Sequence, residues 1–393
     1  MNAISTHTTV FLYYMKIFRQ YHIIKILEEQ EKQNMPLDAF LSDYFRKHKA
    51  IGSKDRTYIS DTSYGIIRWK SLLDFLSSYP SNWEKRVELF CRYSSVEELM
   101  NDYKTLSIPN HIKVSFPAEL FDLIAASYGV EEAMNLCLVS NQAAPTTIRV
   151  NVLKIARDAL LKKWKGQYAV KPTTQSAEGI VFEKRQNFLG MEEFKAGYFE
   201  VQDECSQLVA QHVKALPGQH VLDYCAGSGG KTLAIAVHMN NLGQIYLHDI
   251  RQSALQQAKL RLKRAGIQNA QIFASGNPQL NKLKGKMDWV LVDVPCSGTG
   301  TMRRNPDMKW RFSESMLESL VKQQQEIFEK GLAFLKKTGK IVYATCSILQ
   351  QENEEQIKFF LSKYNLELDE PLFKVLPKQQ HGDGFFAAIL KQK

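Results

Sequence analysis

His220-Val221-Leu222-Asp223-Tyr224-Cys225-Ala226-Gly227-Ser228-Gly229-Gly230-Lys231-Thr232 reads as a strand, a glycine-rich turn and the first turn of a helix. The apolar, β-favouring run stops at Asp223, and the glycines let the chain turn tightly and let a ligand approach the main chain. A glycine turn by itself points only weakly to a nucleotide-like ligand. The ending Gly230-Lys231-Thr232 suggests a phosphate-binding P-loop, but that motif needs glycine five residues before Gly230, where this chain has Cys225.

Short runs rich in β-branched and aromatic residues recur at 220–224, 244–249, 270–274, 288–294 and 340–344. Helical patterns fill the intervals at 231–239, 253–265 and 314–335. This alternation predicts an α/β fold, a parallel sheet with helices on both faces. Ligands of such sheets gather at the carboxyl ends of the strands. Asp249 ends the second strand, where an acid bonds ribose hydroxyls; an ordinary helix cap is the plainer alternative.

Two further strand ends carry cysteine: Asp293-Val294-Pro295-Cys296-Ser297-Gly298-Thr299-Gly300 and Ala344-Thr345-Cys346-Ser347. One such cysteine is by default a packing residue. Two on one rim, with Asp293 beside one of them, suit methylation of a pyrimidine carbon. Carbon 5 of cytosine is a poor nucleophile until a thiolate adds at carbon 6. A carboxyl group at N3 stabilises the charge that develops, and a second thiol assists release of the product.

The remaining 200 residues and the composition set the context. The chain has 393 residues and a net charge of +10, which favours a polyanionic partner. Residues 251–286 contain eight Lys or Arg and no acid, and Arg303, Arg304, Lys309 and Arg311 follow, a cluster that reads as a nucleic-acid footprint. None of the six cysteines forms a CxxC pair, so no metal site is expected. The apolar residues 10–15 lack a basic flank and a cleavage site, and no run is long enough to span a bilayer, so a cytoplasmic protein is expected. Residues 1–110 read as a helical domain, with starts at Pro36-Leu37-Asp38 and Gly52-Ser53 and with Asp38 and Ser53 as caps. Residues 111–200 read as two helices followed by a small βαββ module, and residues 201–393 as the α/β domain, with Asp203 capping its first helix.

The chain resembles the bacterial Sun/Fmu (RsmB-type) and Nop2/NSUN family of RNA 5-methylcytosine methyltransferases. The resemblance rests on 293–300, on Arg303-Arg304-Asn305-Pro306-Asp307-Met308-Lys309-Trp310, on 344–347 and on Asp383-Gly384-Phe385-Phe386. It implies a class I, Rossmann-like S-adenosylmethionine methyltransferase domain with a seven-stranded sheet whose last strand is antiparallel. The covalent nucleophile then falls on Cys346, the release thiol on Cys296, and the base contacts on Asp293 and Lys231. S-adenosylmethionine is implied at Cys225, Ala226, Gly227, Ser228, Gly229, Gly230, Lys231, Asp249, Asp293 and Pro295. DNA cytosine methyltransferases instead attack with the Pro-Cys thiol and are not expected to carry Ala-Thr-Cys-Ser. Two positions depart from the family pattern: Ser228 replaces a proline, and the third strand ends Ala274-Ser275-Gly276-Asn277 rather than Gly-Asp. Ser275 or Asn277 is left to supply a neutral contact to adenine. The first 110 residues resemble the family's NusB-like domain, through 36–40 and Asp55-Arg56 to Arg68, which tilts the substrate toward small-subunit ribosomal RNA. The middle module resembles the family's RNA-binding extension and places Arg149 and Asn151 near the RNA. A monomeric enzyme is expected. The rivals are a noncatalytic RNA-binding or ribosome-assembly factor and the same chemistry on tRNA.

Overall fold

The structure, a computed structural model, describes residues 3–33, 35–77, 81–379 and 382–393. The side chains of residues 3–15, and with them the apolar stretch 10–15, lie outside the described residues. Contacts divide the chain into two units, Met1–Gln142 with Met302–Ser313, and Ala143–Thr301 with Glu314–Lys393. The helices Ala118–Tyr128 and Val130–Ser140 join the first unit, and the segment 302–313 joins it from far along the chain.

The described residues of the first unit are helical. Ile23, Ile26 and Leu27 lie on one stripe of the helix Ala3–Gln33 and are fully buried against Phe40, Tyr44, Ile59 and Ile66. Asn82 and Ser95 accept the Lys85 and Glu98 amide hydrogens and so cap the helices Trp83–Arg92 and Val96–Asp102. The two caps expected near the start are different. The helices Leu37–Lys47 and Ser53–Arg68 begin after Pro36 and Gly52, and no side chain caps either. Proline's fixed φ and extended ψ start the first of these, and Asp38 sits inside it, where a carboxylate faces the positive end of the helix.

In the second unit, β1 (Thr146–Val150), β2 (Val170–Pro172), β3 (Gly179–Phe182) and β4 (Phe199–Val201) form an antiparallel sheet in the order β2-β3-β1-β4. The helix Arg157–Trp164 covers it, with Trp164 buried between Phe182 and Phe199 at ring distances of 5.3 and 5.5 Å. The fourth strand was not anticipated, because its three residues carry too short a pattern to read.

The large sheet contains β5 (His220–Asp223), β6 (Gln244–Asp249), β7 (Ala270–Ala274), β8 (Met287–Asp293), β9 (Leu335–Thr345), β10 (Leu366–Leu368), β11 (Phe373–Val375) and β12 (Phe385–Gln392). Its order is β10-β12-β9-β8-β5-β6-β7, with β11 also on β12. The path thus has the seven expected strands, and β11 adds an eighth. The strands β5 to β9 pair in parallel and β12 runs antiparallel to β9. Buried apolar side chains cover both faces, which is why these strands read as continuous apolar runs. β5 lies between β6 and β8, so the chain switches direction across the sheet at its carboxyl end. The glycine turn and both cysteine loops emerge on that rim.

Candidate active site

Three loops meet at the carboxyl edge of β5, β8 and β9. The turn after β5 takes left-handed backbone at Gly227 (φ 53°) and Gly229 (φ 79°), conformations that glycine adopts without a Cβ penalty. Its main chain is tied to the next strand by Ala226 N–H donating to the His248 carbonyl at 2.9 Å. The Gly227 N–H donates to Asp249 Oδ2 at 2.8 Å, and Arg251 donates its backbone N–H to Oδ1 at 2.8 Å. Burial works against the charge on Asp249, but the hydrogen bonds from Arg251 and Gly227 outweigh it and hold the carboxyl below its usual range.

Ser228 is exposed, yet its position is fixed from another element. Arg261 donates to the Ser228 carbonyl at 3.0 Å and to its hydroxyl at 2.7 Å. Glu200 of β4 in turn accepts from Arg261 at 3.0 Å and from Arg264. The loop without its proline is thus braced by a guanidinium that a buried carboxylate orients.

Asp223, at the end of β5, is fully buried and accepts from the Thr232 hydroxyl at 2.6 Å. Its second oxygen has no partner, and burial pushes its carboxyl up to about 7. Burial, and then the carboxylates of Asp223, Asp293 and Asp249, push the Cys225 thiol far above its ordinary value. Cys225 is therefore no candidate nucleophile.

The loop after β8 carries Cys296 and the loop after β9 carries Cys346, both half-buried and both unbridged. Their sulfur atoms lie 3.3 Å apart, and the Thr301 hydroxyl donates to the Cys346 sulfur at 3.9 Å. Two main-chain bonds lock the loops: Gly300 N–H to the Cys346 carbonyl at 2.9 Å, and Gly384 N–H to the Gly300 carbonyl at 2.8 Å. A side chain at Gly300 would meet the Gly384 carbonyl oxygen, so only glycine allows this approach. The hydrogen bond from Cys296 lowers the Cys346 pKa against the effect of burial, with Lys231 and Thr301 acting in the same direction. The same bond, then burial and the nearby Glu352 charge, raise that of Cys296. Of the two, Cys346 is the thiol whose ionisation its surroundings favour, and Cys296 the one they hold protonated.

Asp293 closes the site. Its Oδ2 accepts from Lys231 Nζ at 2.5 Å, and the ammonium also lies 5.4 Å from the centre of the Phe385 ring. Burial opposes the Lys231 charge, but Asp293 overcomes it and raises the ammonium's pKa. At the outer edge, Ser275 is exposed and Asn277 uses its side-chain oxygen to cap the helix Pro278–Asn281. Pro295 is exposed beside Cys296.

Of the five residues expected on RNA, four are buried. Arg149 is buried, donates to Gln202 Oε1 at 2.7 Å and lies 3.9 Å from Glu178. Burial, opposed by Glu178 and Glu200, lowers its pKa to about 10. The Asn151 amide donates to the carbonyls of Gly197 at 2.9 Å and Ala265 at 2.8 Å, the latter ending the helix Gln252–Ala265. Asn151 thus joins the small module to the helix Gln252–Ala265, and both side chains are buried. In the first unit, Lys309 is 1% exposed and donates to the Arg68 carbonyl and to Asn141 Oδ1, each at 2.7 Å. Burial drives its pKa well below the ordinary value. Arg303 is buried too, its carbonyl accepting from Arg68 at 3.0 Å, and Arg304 is half-buried. The motif 303–310 looked like a basic patch because sequence alone does not show burial. The basic side chains of this cluster that remain exposed are Arg251, Lys259, Lys263, Lys282, Lys284, Lys286 and Arg311.

These burials give a test. Lys309→Met should destabilise the first unit by about 1–3 kcal/mol, because two buried oxygens lose their donor. Denaturant unfolding followed by tryptophan fluorescence measures this; unchanged stability would return Lys309 to the solvent.

A doubly wound sheet with two opposed cysteines at its switch point defines the class, a Rossmann-like methyltransferase fold with a thiol site. Residues 210–391 match the family model described as 16S rRNA methyltransferase RsmB/F, and residues 116–188 match the ferredoxin-like domain of RsmF/B-like methyltransferases. A probable ribosomal RNA small subunit methyltransferase B of Synechocystis is 31% identical over 77% of this chain and 72% of its own. The chain belongs to the RsmB/F family of RNA methyltransferases. Among solved structures, a methyltransferase homologue from Pyrococcus horikoshii covers 72% of this chain and 98% of its own at TM-score 0.65 and 26% identity. NSun6 from the same organism, solved with SFG, covers 70% of this chain and 98% of its own at TM-score 0.63 and 20% identity, a likeness of fold. Among the described residues no helix is long and apolar enough to cross a membrane.

Proposed function

We propose that this chain methylates carbon 5 of a cytosine in small-subunit ribosomal RNA, with Cys346 as nucleophile, Cys296 as the release thiol and S-adenosylmethionine as methyl donor. One observation carries the reading: two free thiols from separate strand ends face each other at 3.3 Å beside the Lys231–Asp293 pair. The name of the Synechocystis relative supports the substrate, and the SFG bound to the NSun6 neighbour supports the cofactor. A monomer working in the cytoplasm belongs to the same proposal.

The residues present fit the cofactor. Asp223, Asp249 and Asp293 gather around the glycine turn, and one buried Asp223 oxygen lacks a donor, which suits a ligand bearing an ammonium and a sulfonium. Asp249 would hold the ribose, the main chain of Cys225–Gly230 the methionyl part, and Asn277 or Ser275 the adenine edge. The bound cofactor supplies an electrophilic methyl group. Every other contribution is the protein's. Cys346 thiolate adds to carbon 6, and the negative charge that develops at N3 is met by a hydrogen that the Lys231–Asp293 pair donates, with the Lys231 ammonium as its source. Once carbon 5 carries the methyl, its proton passes to Cys296 as the Cys296 proton passes to the departing sulfur. The C5–H electron pair closes the ring double bond and the C6–S pair returns to Cys346.

Bisulfite sequencing of ribosomal RNA from cells with and without the gene tests the substrate: one cytosine should lose its protection. Transfer of methyl to tRNA alone would redirect the proposal. Asp249→Ala should weaken S-adenosylmethionine binding by about 1.5–3 kcal/mol, the scale for a charge-assisted hydrogen bond. Calorimetry reads this directly, and an unchanged affinity removes Asp249 from the cofactor site.

A further inference from the structure

Cys296 is held on both sides by one buried pair of side chains. Ser297, after it, donates its N–H to Glu352 Oε1 at 2.8 Å and its hydroxyl to Oε2 at 2.5 Å. Pro295, before it, accepts from Gln324 Nε2 at 3.0 Å. The same Gln324 amide donates to Glu352 Oε1 at 2.9 Å. Gln324 is itself oriented, its oxygen accepting from the Tyr343 hydroxyl at 3.1 Å and from Gln356 at 2.9 Å. Glu352 and Gln324 are both fully buried.

This arrangement is costly as structure. The partners of the Glu352 carboxyl group are an amide N–H, a hydroxyl and a carboxamide, none of them a cation. Burying a carboxylate without a counter-ion opposes folding, and an apolar residue of similar volume is commonly as good or better for stability. What an apolar residue does not supply is two acceptors aimed at the residue following Cys296. Nor does it place a negative charge beside that thiol, where the charge favours its protonated form.

We propose that Glu352, acting with Gln324, is the positioning residue that holds Cys296 opposite Cys346, and that it serves release of the methylated base rather than methyl transfer. The inference rests on the two-thiol reading above. Addition to carbon 6 needs Cys346, Lys231 and Asp293, whereas the Glu352 carboxyl group bonds to Ser297 and Gln324. The proton relay needs a Cys296 proton within reach of the departing sulfur, and the Glu352 clamp governs both its position and its retention.

The test compares Glu352→Gln, Ser297→Ala and Cys296→Ala with the parent, using a small-subunit ribosomal RNA transcript and S-adenosylmethionine. In Glu352→Gln the single-turnover methylation rate should stay within about threefold of the parent, while multiple turnover falls about tenfold or more. A covalent protein–RNA band should build up under denaturing electrophoresis. Ser297→Ala, which removes one of the two contacts and keeps the carboxylate, should shift the same way by a smaller factor; it carries the comparison alone if Glu352→Gln does not fold. Turnover unchanged in the folded variants, or single-turnover and steady-state rates falling together without adduct, overturns the proposal. If Cys296→Ala also gives no adduct, the two-thiol reading fails. If Cys296→Ala gives the adduct and the Glu352 and Ser297 variants do not, the inference about Glu352 alone is overturned.

Discussion

Cys296→Ala should convert a catalyst into a trap. Incubated with RNA and S-adenosylmethionine, the variant should carry more than about half of its chains into a covalent RNA adduct that survives denaturation, a lesion of release rather than of attack. Cys346 retains Lys231 and Thr301 beside it, so addition and methylation proceed. The proton shuttle 3.3 Å away is gone, and the thioether persists. The adduct should require both RNA and cofactor and be absent from Cys346→Ala and from the double variant. An adduct in Cys346→Ala instead would reverse the two roles. Loss of activity in both single variants without adduct would make Cys296 a loop residue only. The same variant should show a second effect, because the hydrogen bond from Cys296 is the largest influence lowering the Cys346 pKa. Removing it should move the acid limb of single-turnover methylation to higher pH.

The rim of the sheet was legible because its signals are local. Each of β5, β6, β8 and β9 ends on a chemically distinctive residue, and the strands at 244–249 and 270–274 fall where their apolar runs place them. What stayed hidden depends on distant partners. Glu352 is one acid among several in a polar stretch, and nothing local shows that it faces Ser297. Gln324 offered a fainter signal. It occupies the buried row of its helix with Leu317, Phe328 and Gly331, where a carboxamide is out of place unless it has partners. The basic residues misled for the converse reason: Arg303 and Lys309 read as surface charge until their burial is seen. Charge counts describe a chain's field, but only accessibility turns a lysine into a phosphate contact. The grouping of residues 118–140 rests on the same ground. Residues 118–140 are plainly helical in sequence, but whether a helix packs with its predecessors or its successors is a tertiary fact.

The second large effect belongs to Cys346. Cys346→Ala should reduce methyl transfer to below about a thousandth of the parent rate, since carbon 5 of the unattacked ring has no comparable nucleophilicity. Cofactor affinity should remain near the parent value, because Asp249 and the glycine turn are held by bonds that do not involve this side chain. Cys346→Ser separates geometry from reactivity: the hydroxyl keeps the place but not the thiolate, and its activity should be equally low. The pH profile of the parent supplies the remaining constraint. The reactive form has Cys346 ionised and Cys296 protonated, so single-turnover methylation should fall as pH drops through the lowered Cys346 pKa and the thiolate gains a proton. Release should fall on the alkaline side, as Cys296 loses the proton it must hand over. Steady-state turnover then follows a bell, while single-turnover methylation shows only its acid limb. A Cys346→Ala variant with turnover above a few per cent of the parent would place the nucleophile elsewhere. The remaining thiol on that rim with access to the base is Cys296, and its adduct would identify it.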